Sequence, residues 1–110
     1  VLVPADPGSS AMEAARALAQ AGRLDLIAAK AIDSLAAQRV AHEIASYAKR
    51  GRVVVAIDPV VSNPAGVELT HAVDTVMLCI TMGRTDLASA RKTIRLIGRQ
   101  YFIGCVTLSP

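Results

Sequence analysis

Aromatic side chains are nearly absent from this chain. Tyr47, Tyr101 and Phe102 are all it carries, and there is no tryptophan. Base-stacking surfaces for single-stranded nucleic acid are built on such rings, so that class of binding is not expected here. Cysteine is almost as scarce. Cys79 and Cys105 each sit inside an apolar, strand-like run, with no CxxC neighbour and no histidine at ligand spacing. A disulfide framework and a structural zinc site are both excluded on that pattern. The two thiols read instead as small buried hydrophobes in a reducing cytoplasm. No apolar run approaches the roughly 20 residues of a membrane span, and no secretory signal is visible. Acidic and basic residues nearly balance, 9 against 12, giving a net charge of +3. The basic residues are dispersed except for Arg91, Lys92, Arg95 and Arg99. That group reads as a solvated helix face or as a site for an anionic partner.

What the chain has in quantity is apolar residues, 53% of its 110, mostly alanine and aliphatics. That length is one domain, residues 1–110, large enough to bury about 65% of its unfolded surface. The chain begins at Val1 rather than methionine, which points to a piece of a longer protein. Arg52 to Gly66 organises the rest. Val53 to Ile57 is an unbroken apolar run ending on Asp58, the mark of a strand buried on both faces. Pro59, Asn63, Pro64 and Gly66 then signal turn and loop. In an open α/β sheet that is the end of a strand where ligands bind.

Strands and helices alternate around this stretch. Val1 to Ala5 is a strand despite Pro4, which belongs at a sheet edge or a strand terminus. Ser9 or Ser10 caps a helix over Ala11 to Ala21, Glu13 completing a capping-box pattern with Ser10, and Gly22 closes it. Leu24 to Ala29 is a strand. Asp33 or Ser34 opens a helix whose stripe is Leu35, Val40, Ile44 and Tyr47. A short helix is expected over Ala65 to Val73, and a strand over Thr75 to Thr81. Thr85 or Asp86 caps a helix with Leu87, Ala90, Ile94 and Ile97 on one face. Tyr101 to Leu108 is the last strand. Five strands separated by four helices predict parallel pairing, right-handed crossovers and a three-layer α/β sandwich.

Two stretches could carry chemistry. The turn Asp6-Pro7-Gly8-Ser9-Ser10 opens a helix and offers backbone N–H groups to an anion. It has one glycine, and no lysine occurs between Val1 and Arg16, whereas a phosphate-cradling loop needs a glycine-rich turn and a lysine. A plain helix start is the simpler reading of Asp6, Gly8, Ser9 and Ser10. Asp58 stands where a carboxylate could hold Mg²⁺ through water, or could accept N–H groups of its own turn. His42 and His71 have no nucleophile or carboxylate at defensible spacing and read as ordinary surface or core histidines. Ser62, Thr70, Thr85 and Thr107 read as loop, cap and strand residues.

Three segments, VVVAIDPVVSNPAG, AVDTVMLCITMGRTDLASARKTIRLIG and YFIGCVTL, together resemble the second half of the bacterial tyrosine kinase domain. That domain belongs to the deviant Walker P-loop ATPases, with division-site and plasmid-partition ATPases. Ile57, Asp58, Pro59 and Pro64 resemble the Walker B strand and loop, with the family's double proline reduced to Pro59-Val60. Val73-Asp74, Val76 to Ile80 and Gly83-Arg84-Thr85 resemble the following aspartate, strand and Gly-Lys/Arg-Thr turn. Ile103 to Val106 resembles the next strand. The likeness runs from Arg52 to Leu108, about sixty residues. The first half departs from it: Val1 to Ala21 lacks the Walker A glycines and lysine. Leu24 to Ala29 is either the second Walker strand, with Ala29 and Lys30 replacing an Asp-x-Asp pair, or the strand before Walker B. The tyrosine-rich tail is absent from these residues as well.

The resemblance implies a P-loop NTPase-like fold and a cytoplasmic domain, peripheral at the inner membrane, beside a membrane polysaccharide co-polymerase. The departures imply a pseudokinase that serves as an interaction or regulatory domain in exopolysaccharide biosynthesis and export, with no cofactor. One alternative is an active tyrosine kinase or ATPase using ATP and Mg²⁺. Another subunit or residues outside this chain would complete its site, with Arg84 or the Arg91 to Arg99 cluster as counter-charge. Family members form rings, so a homo-oligomer is a second expected assembly. The other alternative is a partition or positioning protein that binds DNA or membrane through the basic helix, although nucleic acid is not an expected partner.

Overall fold

A computed structural model of the chain describes residues 1–7, 10–29, 32–71 and 75–108. Five strands lie in one sheet: β1 Leu2–Pro4, β2 Asp25–Ala29, β3 Val53–Ile57, β4 Val76–Thr81 and β5 Phe102–Leu108. Between them run α1 Met12–Gly22, α2 Ser34–Ala48, α3 Gly66–His71 and α4 Leu87–Ile97, with a 3-10 turn at Arg99–Tyr101 before β5. All pairings are parallel and the order is β2-β3-β1-β4-β5. This is the three-layer α/β sandwich that the alternating pattern implies.

The order explains the hydrophobic runs. β3 and β1 are flanked on both sides by other strands, and their residues are buried almost without interruption. Pro4 is the last residue of β1, at the centre of the sheet rather than at its edge. A strand terminus tolerates it because the ladder bond it cannot donate is not needed there. The next N–H, of Ala5, donates to the Cys79 carbonyl at 3.1 Å.

Two apolar clusters lie on opposite faces of the sheet. One gathers Val3, Val55, Ile57 and Leu78 with Ile44 of α2, Leu69 of α3 and Ala90 and Ile97 of α4. The other gathers Leu2, Val54, Ala56 and Cys79 with Ala11, Ala14 and Ala15 of α1. Three helices therefore cover one face and α1 alone serves the other. Right-handed crossovers dictate this division, because only the β1-to-β2 connection runs toward the β2 edge.

Several local expectations are corrected. The capping box of Ser10 and Glu13 does not form: Ala11 is the N-cap without a side-chain bond, and Ser10 Oγ accepts the Met12 N–H at 3.1 Å instead. Gly22 is the last helical residue, and the left-handed position after it belongs to Arg23, at φ 54°. Glycine serves at 22 for close approach, since a Cβ there would lie 3.1 Å from Leu24 Cγ. The buried stripe of α2 is Ala37, Val40, Ala41 and Ile44. Leu35 is 87% exposed and Tyr47 is 48% exposed. At 100° per residue Leu35 falls on the side of α2 opposite Ala37 and Ile44, whereas Tyr47, in the last turn, stands at the margin of their stripe. Asp33 caps α2, accepting the Ala36 N–H at 2.7 Å. Asp86, not Thr85, caps α4, accepting from Ser89 N–H at 2.7 Å. Cys79 is buried, but Cys105 is exposed because β5 is an edge strand. Burial pushes the Cys79 thiol up to about 11.

Candidate functional site

The carboxyl ends of β3, β1 and β4 stand side by side, and the turns that follow them form one edge of the molecule. Leu2 lies opposite Ala56, which sets Pro4 level with Asp58, so Asp6 follows at the same end of the sheet, two residues beyond that level. Parallel pairing and short connections make that gathering unavoidable. It is the position at which open α/β sheets place their ligands.

Asp6 is the best-defined residue there. Its carboxylate is buried, and both oxygens are engaged: Thr85 Oγ1 donates to Oδ2 at 2.6 Å, and the Asp86 N–H donates to Oδ1 at 3.3 Å. The Thr85 hydroxyl also accepts the Thr81 N–H at 2.8 Å. One side chain thus pins the end of β4 to the end of β1 and fixes the start of α4. Beside it is a polar cleft of about 220 Å³ bounded by Asp6, Pro7, Arg84 and Asp86. Arg84 is the only cation among those four residues, facing two carboxylates. Ligand pockets run from about 300 Å³ upward, and the part of this cleft bounded by the described residues is smaller than that. Gly8 and Ser9 lie outside the described residues, as do Lys30 and the Val73-Asp74 pair. Ser10 is spent on the Met12 N–H.

Asp58 closes β3, half-buried, and has an interaction partner of its own. Among the described residues no group of three or more His, Cys, Asp or Glu side chains comes together to hold a metal ion. The loop beyond Asp58 is anchored by Asn63, whose amide donates to the Ile32 carbonyl at 3.0 Å. Gly66 lets α3 press close, where a Cβ would meet Ile57 Cδ1 at 3.3 Å and Val60 Cγ1 at 3.4 Å. The proline-rich loop is thereby packed down rather than held open.

The basic cluster lies elsewhere. Arg91, Lys92 and Arg95 are exposed on α4, and Arg99 is exposed on the turn after it. α4 starts at the carboxyl end of the sheet and runs back toward the amino end, so the cluster leads away from Asp6 and Asp58. Within one chain it does not supply the counter-charge that the first loop lacks; among the described residues Arg84 is the one cation lining that cleft. Arg91 and Arg99 instead rim an apolar groove of about 520 Å³ between α4 and β5.

Residue-type reading missed the structural threonines and His71. Thr93 is buried in α4, its hydroxyl donating to the Ser89 carbonyl at 2.9 Å. His71 Nε2 is 2.8 Å from the Ile97 carbonyl, and its ring stacks on Tyr101 with centroids 4.3 Å apart, tying α3 to the end of α4. The Asp6–Thr85 bond spans 79 residues, and no local pattern announces it. No helix among the described residues is long and apolar enough to cross a membrane. No protein-family model, curated protein or solved structure matches the chain.

Proposed function

We propose that this chain is a non-catalytic, kinase-like interaction domain of bacterial exopolysaccharide biosynthesis and export, working beside a membrane co-polymerase at the cytoplasmic face of the inner membrane. The kinase-like part of the reading rests on the resemblance of Arg52 to Leu108 to bacterial tyrosine kinases. The non-catalytic part rests on one observation: where a phosphate cradle would open after β1, Asp6 is turned inward and hydrogen-bonded to Thr85 and Asp86. A nucleotide's phosphates would meet two carboxylates and one arginine in a cleft of about 220 Å³. Helix-end N–H groups contribute about 0.3–1 kcal/mol at an exposed site, too little to offset that arrangement.

Two measurements test the reading. Isothermal titration of ATP·Mg²⁺ into the purified domain is expected to give no binding tighter than about 1 mM, under roughly 4 kcal/mol. Micromolar binding that weakens sharply in Asp58→Asn would instead establish a working nucleotide site and overturn the non-catalytic assignment. A pull-down with the cytoplasmic segments of a polysaccharide co-polymerase is expected to retain the domain. Failure to retain any export component would remove the polysaccharide assignment.

A further inference from the structure

The groove between α4 and β5 is apolar in its floor and walls and cationic at its rim. Leu78, Ile80 and Phe102 form the floor, Leu87 and Ile94 one wall, and Cys105 the far side. Leu87 is 66% exposed, although it lies on the same helical stripe as buried Ala90. Arg91 and Arg99 stand over this apolar surface with no ion pair among the described residues. Beyond the groove, β5 is the edge of the sheet, a seven-residue strand without charge or proline. Natural edges are commonly blunted by lysine, proline, brevity or a bulge; β5 has only the last, its register slipping at Ile103 between the partners of Val76 and Met77.

The shape suits a helix. Helices on a sheet lie beside one another at about 8–10 Å between axes, and the groove is the next place along from α4. α4 would flank such an occupant over its 11 residues, a length of about 16 Å. The charge selects the occupant further. A second copy of this chain cannot supply an acidic helix: α1, α2 and α3 carry one glutamate each, at Glu13, Glu43 and Glu68, and α4 carries none. Bringing a second α4 alongside the first would set arginine against arginine.

We propose that this groove docks an acidic amphipathic helix of a partner protein, its apolar stripe on Phe102, Ile94 and Leu87 and its carboxylates paired with Arg91 and Arg99. The inference rests on reading the chain as an interaction domain and names the surface and the partner chemistry for it. Helix-in-groove recognition of this kind reads anchors at i, i+3, i+4 and i+7.

The test uses a fluorescent peptide of about fifteen residues, long enough for marginal helicity, with leucines at those spacings and glutamates on both flanks. Cys105 is an internal reporter, since it is exposed in the groove while Cys79 is buried. The acidic peptide is expected to bind and to slow alkylation of Cys105, while the same peptide with lysine for glutamate does not. Arg91→Glu combined with Arg99→Glu is expected to weaken binding at least about tenfold, as is usual for paired charges at an interface. Both arginines are exposed, so the fold is retained, and a circular-dichroism spectrum verifies it. Binding without Cys105 protection, equal binding of the lysine peptide, or equal binding of a scrambled acidic peptide would overturn the proposal. So would protection of Cys105 by self-association or by anionic vesicles when the peptide gives none. Peptide binding with a failed co-polymerase pull-down would leave the groove assigned and remove only the polysaccharide reading; the opposite pair of results would remove the groove alone.

Discussion

Replacing Thr85 by valine keeps the side-chain shape and removes one hydroxyl. That hydroxyl donates to buried Asp6 at 2.6 Å and accepts the Thr81 N–H at 2.8 Å. A hydrogen bond to a charged group contributes about 1.5–3 kcal/mol net, and a neutral one about 0.5–1.5 kcal/mol. The sum, about 2–4.5 kcal/mol, is large against the roughly 5–15 kcal/mol that holds a small domain folded. Urea unfolding of Thr85→Val followed by circular dichroism should therefore show a lower midpoint with an unchanged slope. The thermal midpoint should fall by about 10 °C, at roughly 4 °C or more per kcal/mol for a domain near this size. A cycle with Asp6→Asn sharpens the test. The two changes should be coupled by about 1–2 kcal/mol, because each removes the same charge-assisted bond. A loss below about 0.5 kcal/mol, the usual scatter of surface substitutions, or the absence of coupling would refute the reasoning. Asp6 would then be uncommitted to Thr85, and the turn after β1 would be open again as a ligand site.

The remaining predictions concern α1 and the two thiols. Arg23→Gly should stabilise the fold by about 1 kcal/mol in urea unfolding, because the left-handed backbone at φ 54° costs a residue with a Cβ about that much. A destabilised variant would mean that the arginine side chain makes a compensating contact. At pH 8, Cys105 should react with a thiol reagent in the folded protein and Cys79 only on unfolding, since one is exposed and the other buried. Cys79 is also a source of alkaline instability, its thiol being raised from 9.0 to about 11. The unfolded chain loses this proton first, so stability is unaffected below about pH 9 and falls between there and about pH 11. The loss should reach on the order of 2 kcal/mol. Cys79→Ala should flatten that limb of the profile, and an unchanged slope would refute the assignment.

The architecture was legible in the sequence because it rests on local signals. Val53 to Ile57 reads as a doubly buried strand, and it occupies those five residues between β2 and β1. Asp33 and Asp86 cap helices through short-range bonds, and spacing narrows each cap to a pair of neighbours, Asp33 or Ser34 and Thr85 or Asp86. Burial was less legible. Tyr47 and Leu35 look like core residues by type, yet which stripe of α2 meets the sheet is decided by Ala37 and Ile44, small and branched residues that allow close approach. Cys105 sits in a run as apolar as that of Cys79, and only strand order separates an edge from an interior. The candidate site was the least legible. Asp6 and Asp58 stood out as carboxylates after strands, but the partner of Asp6 lies 79 residues away, and Thr85 reads locally as a helix cap.

The same geometry weighs the two ends of the molecule against each other as places to bind. A ligand that took the Asp6 carboxylate for itself at the carboxyl edge would have to draw it away from Thr85, at a cost of about 1.5–3 kcal/mol for the charged bond alone. It would also have to accept a second carboxylate, Asp86, across the cleft. A ligand entering the α4–β5 groove meets no side-chain hydrogen bond of the described residues that it would have to break. Covering the exposed part of Leu87 and the apolar floor releases water at about 25 cal/mol per Å². Arg91 and Arg99 gain partners there and give up none among the described residues. Binding free energy is a difference between states, so a braced edge and an unbraced groove are not equivalent sites even on a sheet whose topology favours the edge. On that balance the carboxyl end acts as a structural clamp, and the proposed recognition falls to the flank between α4 and β5.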